Sequence, residues 1–289
     1  MARLSGRDED TIDPLRVQLG DSAVLIRCDD HALRQSLSQQ LRHCQGGNAL
    51  ARTTYRIDRS SADHRWQLLR DGWLLYRGST STEIVNRLVQ DMTLMLITHC
   101  SHQLLFHAAG LAEGTNGLIL CGKSGTGKST LAAWLAAIGL DYLTDELVAV
   151  SFDSTAMRGL ARPLVLKTGS AFVWRHWLGE TVSPGMTHLP GGATWLDPEA
   201  LRRGCVRGSA YPRLILFPRY APGAPLESRP LSTAESTFHL MQHLINAENL
   251  PGCGFAAASH LARQTTAYDI TYADVELAAE WIKQTASRM

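Results

Sequence analysis

The chain has 289 residues, 45% hydrophobic and 19% charged, a balance that supports one large or two modest globular domains with a sizeable core. Its 28 basic and 27 acidic residues leave a formal charge of +1, so the composition predicts no global attraction to nucleic acid or to an acidic membrane surface. No apolar run reaches the ~18 residues that suggest a membrane-spanning helix, and six scattered cysteines without a C-x-x-C pair read as reduced thiols of a cytoplasmic protein.

Residues 1–11 are rich in Arg and Asp and read as a frayed terminus rather than a secretory leader. Residues 17–27 form a strand candidate and 32–44 a helix candidate. Residues 66–76 read as a hairpin turning on Asp71-Gly72, a pair that tolerates the positive φ of a tight turn. From 81 to 100, Ile84, Leu88, Met92, Met95 and Leu96 recur at helical spacing behind a potential cap, Ser81. These elements make an N-terminal α+β region, 1–103. The remainder, 104–289, reads as an α/β domain with a mixed sheet flanked by helices. Its strands are predicted at 104–113, 118–121, 142–150, 164–166 and 214–217, and its helices at 128–138, 232–245 and 273–286. Gly139 stops the first of these helices. Between 183 and 192, Pro184, Gly185, Pro190, Gly191 and Gly192 mark a long loop suited to a functional role.

Gly122-Lys123-Ser124-Gly125-Thr126-Gly127-Lys128-Ser129 matches G-x-x-x-x-G-K-[ST] at every position, with Thr130 next in line. Glycines let successive backbone N–H groups approach phosphate oxygens without a Cβ in the way. Lys128 would place a point charge on the β- and γ-phosphates, Ser129 would offer a hydroxyl to magnesium, and the helix that starts here would add the positive end of its dipole. The alternative is a Gly-rich turn with an incidental Lys-Ser. Asp145 and Glu146 follow at a strand end. A phosphoryl transferase needs one carboxylate for Mg2+ and one for the attacking oxygen, and adjacent acids can offer both; an exposed acidic turn is the alternative.

The order His107-Ala-Ala-Gly110, turn, Gly117 through Ser129, Gly139, then Leu143-Thr144-Asp145-Glu146 resembles the HPr serine kinase/phosphorylase superfamily. Arg162-Pro163-Leu-Val-Leu-Lys167, Phe217-Pro-Arg219-Tyr220 and Pro222-Gly-Ala224 make it more similar to the bacterial HPr-kinase-related proteins of the kinase A type. The likeness runs from about residue 104 to the end. It implies a P-loop kinase that uses ATP and Mg2+, with 122–129 as the phosphate cradle and Asp145 as the base for the acceptor hydroxyl. Glu146 stands where the family has a second Asp, as a metal contact one methylene longer. The resemblance brings His107 near the phosphates, with a structural role as its alternative, and makes Lys167 and Arg219 phosphate or substrate contacts, with surface solvation as theirs. The glycine-rich segment that follows the acids in HPr kinases is missing. The likeness therefore points away from HPr, and towards a hydroxyl of a peptide, a protein or a small molecule. It also implies a small peptide-binding chaperone as a partner, and leaves a homo-oligomer open.

His239 and His243, four apart on a predicted helix, would present two imidazoles to a zinc ion, but no third ligand is apparent beside them and no such site is expected. The tryptophans are not interleaved with clustered Lys or Arg, so they read as core and loop anchors rather than base-stacking platforms. Two other readings stay open: a nucleotide-gated peptide-binding module in which ATP orders the 183–192 loop, and plain ATP hydrolysis.

Overall fold

A computed structural model describes residues 13–61, 63–179, 185–188 and 191–289. The terminus 1–11 and residues 183, 184, 189 and 190 of the 183–192 loop, Pro184 and Pro190 among them, lie outside the described residues. The chain divides into two compact units, Met1–Ser101 and His102–Met289.

The first unit holds β1 (Leu15–Leu19), β2 (Ser22–Cys28), α1 (His31–Gln40), β3 (Ala51–Arg59), β4 (Trp66–Arg70), β5 (Trp73–Gly78) and α2 (Ser81–His99). Its five strands run in sequence order in one sheet, with β2 and β3 parallel and the other pairs antiparallel. The strand expected over 17–27 is a hairpin, because Gly20 takes a φ of +61° and reverses the chain. The hairpin on Asp71-Gly72 forms as the turn chemistry predicts, both residues having positive φ. Helix α2 is capped by Thr80, not Ser81. The Thr80 hydroxyl accepts from the Glu83 N–H while the Glu83 carboxylate accepts from the Thr80 N–H, so a reciprocal box satisfies two end donors. Its Ile84, Leu88, Met92 and Leu96 are fully buried.

The second unit runs through β6 (Gln103–Glu113), β7 (Asn116–Cys121), α3 (Lys128–Ala137), β8 (Asp141–Thr144), β9 (Leu147–Ser151), β10 (Met157–Gly159) and β11 (Leu164–Leu166). It continues with α4 (Ala171–Leu178), β12 (Met186–His188), β13 (Thr194–Leu196), α5 (Pro198–Leu201), β14 (Tyr211–Tyr220) and β15 (Glu227–Pro230). It ends with α6 (Thr233–His243), α7 (Phe255–Gln264), β16 (Thr266–Tyr272) and α8 (Val275–Ala286). The main sheet has the order β10-β9-β6-β7-β14-β16-β15, with β8 also paired to β6, and β14 lies parallel to both β7 and β16. β11, β13 and β12 form a small separate sheet. The single strand expected over 142–150 is two, because the chain bends at Asp145-Glu146.

Alternation along the central strands separates two cores. Leu118, Leu120, Leu214 and Leu216 face the cluster built with α3 and α8, while Ile119, Cys121, Ile215 and Phe217 face the cluster that includes Leu240, Ala258 and Leu261 of α6 and α7. Helix α3 is buried on every side, from Leu131 through Ala136. It sits between β6 and the helices α4, α5 and α8, so its amino end is set rigidly by packing. No helix of the described residues is long and apolar enough to cross a membrane. The six cysteines form no disulfide among the described residues, and five of them are buried; burial pushes the Cys121 thiol up to about 12.

Candidate functional site

The hairpin β6–β7 delivers the chain at Cys121 into the loop 122–127, and α3 starts at Lys128. Gly125 and Gly127 each have a φ of +91°, the left-handed region that glycine enters without a Cβ penalty. At Gly127 a Cβ would also lie 2.1 Å from the Tyr272 hydroxyl, so a side chain is excluded there twice over. The loop is braced from three directions. The Thr126 hydroxyl donates to the Lys123 carbonyl at 2.9 Å, the Tyr220 N–H donates to the Thr126 carbonyl at 3.3 Å, and the Tyr272 hydroxyl donates to the Gly127 carbonyl at 3.4 Å.

Lys128 is buried at 6% exposure and donates to the carbonyls of Gly122 and Lys123, the second at 3.1 Å. Burial lowers its pKa, opposed by the negative charge of Asp145 among others. Its ammonium therefore lies across the loop, and it opens into a cavity of about 590 Å3 that Ser124, Gly125, Gly127, Ser129 and Thr130 also line. The Thr130 hydroxyl is paired at 2.7 Å with Ser170, just ahead of α4.

Asp145 and Glu146 enter the same cavity from the bend between β8 and β9. Burial drives the Asp145 carboxyl up to about 6, the charge of Glu146 adding to the effect, while Arg162 and hydrogen bonds from Ser129 and Tyr142 pull the other way. The Tyr142 hydroxyl donates to Asp145 Oδ1 at 3.1 Å. Glu146 is ion-paired with Arg162, whose side chain is only 15% exposed. The two acids are thus unequal: one is held by a cation, the other faces the Ser129 hydroxyl and the phosphate loop. Ser129 and the carboxylates are all hard oxygen donors, the set that suits Mg2+, which keeps several waters and takes one or two carboxylates. Among the described residues no group of three or more His, Cys, Asp or Glu could hold a metal by itself.

His107 lines the cavity from β6 and bonds to the main-chain carbonyl of Glu146. Burial lowers its pKa, and the positive charge of Lys128 lowers it further. His243 stands behind it on α6, pushed down to about 4 by burial and by the charges of Lys128 and His107, with its ring stacked on Phe217 at 6.2 Å. His239, the other half of the considered zinc pair, faces Asp269 at 3.5 Å and Phe217 edge-on at 4.8 Å.

Lys167 reaches from the end of β11 to the Ser124 hydroxyl at 3.0 Å and lines the cavity mouth. Arg219 does not line it; it is exposed near the end of β14. Gly122, Lys123 and Thr126 form the frame of the loop rather than the cavity wall. Sequence reasoning assigned no role to Arg162, Tyr142, Tyr220 or Tyr272, and weighed His243 only as a zinc ligand. Arg162 and Tyr220 stand inside quoted motifs, but nothing in their spacing tells which acid or loop they meet.

Neither a family model nor a curated protein matches the chain. Among solved structures, the Hpr(Ser) kinase/phosphatase from Coxiella burnetii is similar at 14% identity, over 64% of this chain and 92% of that one, with a TM-score of 0.31. At that distance the chemistry has to come from the residues of this chain.

Proposed function

We propose that the chain is an ATP-dependent kinase of the HPr-kinase-related kind, transferring the γ-phosphate to a hydroxyl of a peptide, protein or small molecule. One observation carries this reading: a G-x-x-x-x-G-K-S loop, its buried lysine and a carboxylate with a pKa raised to about 6 open into one cavity. The loop N–H groups and the amino end of α3 would receive the β- and γ-phosphates, and Lys128 would turn from the carbonyls of Gly122 and Lys123 to the phosphate oxygens. Ser129, with the carboxylates of Asp145 and Glu146, would hold magnesium, which when bound draws charge off the phosphate oxygens.

Asp145 takes the acceptor's proton. Its raised pKa makes it a better base than an ordinary aspartate, and Tyr142 fixes its orientation. As the acceptor oxygen bonds to the γ-phosphorus, the bond to the β–γ bridging oxygen breaks, ADP leaves, and the proton passes to the Asp145 carboxylate. His107, held neutral by its surroundings, lines the acceptor side without adding charge. Lys167, already at the Ser124 hydroxyl, would close on the transferred phosphoryl group.

Incubation with γ-labelled ATP and candidate acceptors, read by mass spectrometry, tests the reading. Labelled acceptor supports it. Label appearing solely as free phosphate makes the chain a hydrolase, and tight ATP binding with neither product makes it a gated binding module.

A further inference from the structure

The cavity has two chemically different sides. In the sheet, β7 lies between β6 on one side and β14 then β16 on the other. Neighbouring strands are ~4.8 Å apart, so the ends of β6 and β14 flank the phosphate loop on opposite sides. His107, Asp145, Glu146 and Arg162 stand on the β6 side. Tyr220, Tyr272, Ala273 and Val275 stand on the β14–β16 side. With the terminal phosphate held by Lys128 on the side where Asp145 stands, the rest of a nucleotide is directed at the aromatic end.

That end offers a ring face and little else. Tyr220 is 48% exposed and lines the cavity, and Tyr272 meets it edge-on at 5.8 Å and 66°, which leaves a face of the Tyr220 ring uncovered. Tyr272 itself is buried, and its hydroxyl is spent on the Gly127 carbonyl. Ala273 and Val275 carry no polar side-chain atom. Among the described residues lining this end, no carboxylate, amide or guanidinium stands ready to read a base edge. A site without such groups cannot reject the wrong base strongly, whereas stacking tolerates every base because each has a π-face.

Resting on the kinase reading, we infer that Tyr220 is the base-stacking residue of a nucleotide subsite that accepts purine and pyrimidine nucleoside triphosphates alike. The donor class is then nucleoside triphosphates in general, of which ATP is one.

Competition binding with magnesium and ATP, GTP, CTP, UTP or inorganic tripolyphosphate tests this on the full chain. The four nucleotides should lie within about tenfold of one another, each binding tighter than tripolyphosphate. Y220A should weaken every nucleotide at least threefold, about the loss of one stacking contact, while tripolyphosphate, which has no base, is unaffected; Y220F and Y220W should keep the wild-type order. The Tyr220 main-chain brace on Thr126 survives all three substitutions. One nucleotide preferred by more than about tenfold, or nucleotide affinities that Y220A changes less than threefold, overturns the inference and leaves the kinase reading standing. Failure of both tripolyphosphate and nucleotides to bind, or binding that K128A does not weaken, overturns the kinase reading itself.

Discussion

Both units of the molecule enclose an acid among apolar neighbours, and they treat it differently. In the N-terminal unit Arg70 donates to both oxygens of Asp91 at 3.0 Å, and the Tyr55 hydroxyl adds a third bond at 2.7 Å. There β3 and β4 each supply a donor to the carboxylate. In the C-terminal unit Arg162 pairs with one oxygen of Glu146, and Asp145 is left with two hydroxyl donors and a cavity in front of it. A carboxylate fully paired is architecture, since its charge has nowhere to act. One that burial raises to about 6 beside a lysine and a glycine loop holds unspent reactivity.

The sharpest way to break this contrast is K128A, which should abolish transfer and weaken nucleotide binding by about a hundredfold or more, as loss of the main phosphate cation implies. Retained transfer would put the chemistry elsewhere. D145N should lower the transfer rate by about a thousandfold while changing nucleotide affinity only a few-fold. A variant with the normal rate would remove Asp145 as the base.

D145N has a second expected effect. A carboxyl whose folded pKa lies above its unfolded value contributes stability that is complete below about 3.8 and lost as pH rises through about 6. The substitution should therefore stabilise the nucleotide-free protein at pH 8, by roughly 1–2 kcal/mol after discounting for the side open to solvent, and confer no such gain at pH 3. Chemical denaturation at the two pH values checks it. In the N-terminal unit the sign reverses: D91A should destabilise by about 2–4 kcal/mol, because it strands Arg70 and the Tyr55 hydroxyl, and should leave nucleotide affinity alone. If D91A also weakened nucleotide binding, the division of labour between the units would fail.

The smallest effect is expected from His243, whose depressed pKa contributes stability above about 6.5 that is lost as pH falls through about 4. H243F should flatten the stability profile across that window by about 1 kcal/mol after discounting for the half-buried ring, with little change at pH 8. An unchanged acid limb of the profile would mean that His243 is not desolvated as described.

Legibility followed the range of the forces involved. The hairpin on Asp71-Gly72, the periodic α2 and the strand–loop–helix around Gly122 to Ser129 are local: turn chemistry and apolar spacing set them within a few residues. The bend that divides 142–150 falls at Asp145-Glu146, the polar pair that interrupts the apolar residues, so the break is legible there although the span as a whole reads as one strand. β16 was missed because Thr-Ala-Tyr-Asp-Ile-Thr-Tyr is polar enough to pass for a connection until β14 pairs beside it.

The sequence by itself determined that a glycine loop would open a helix, that Lys128 and Ser129 would sit at its start, and that two acids would follow at a strand end. Backbone sterics and helix periodicity act over short stretches of chain, so those features travel with the residues. Only the tertiary structure decided that Arg162 would claim Glu146 and spare Asp145, that His243 would back His107, and that Tyr220 and Tyr272 would close the far end of the cavity. The last of these comes from the parallel pairing of β14 with β16, and the first two from the bend between β8 and β9 and from α6 packing on β6; in each case the partners share no local pattern in the chain.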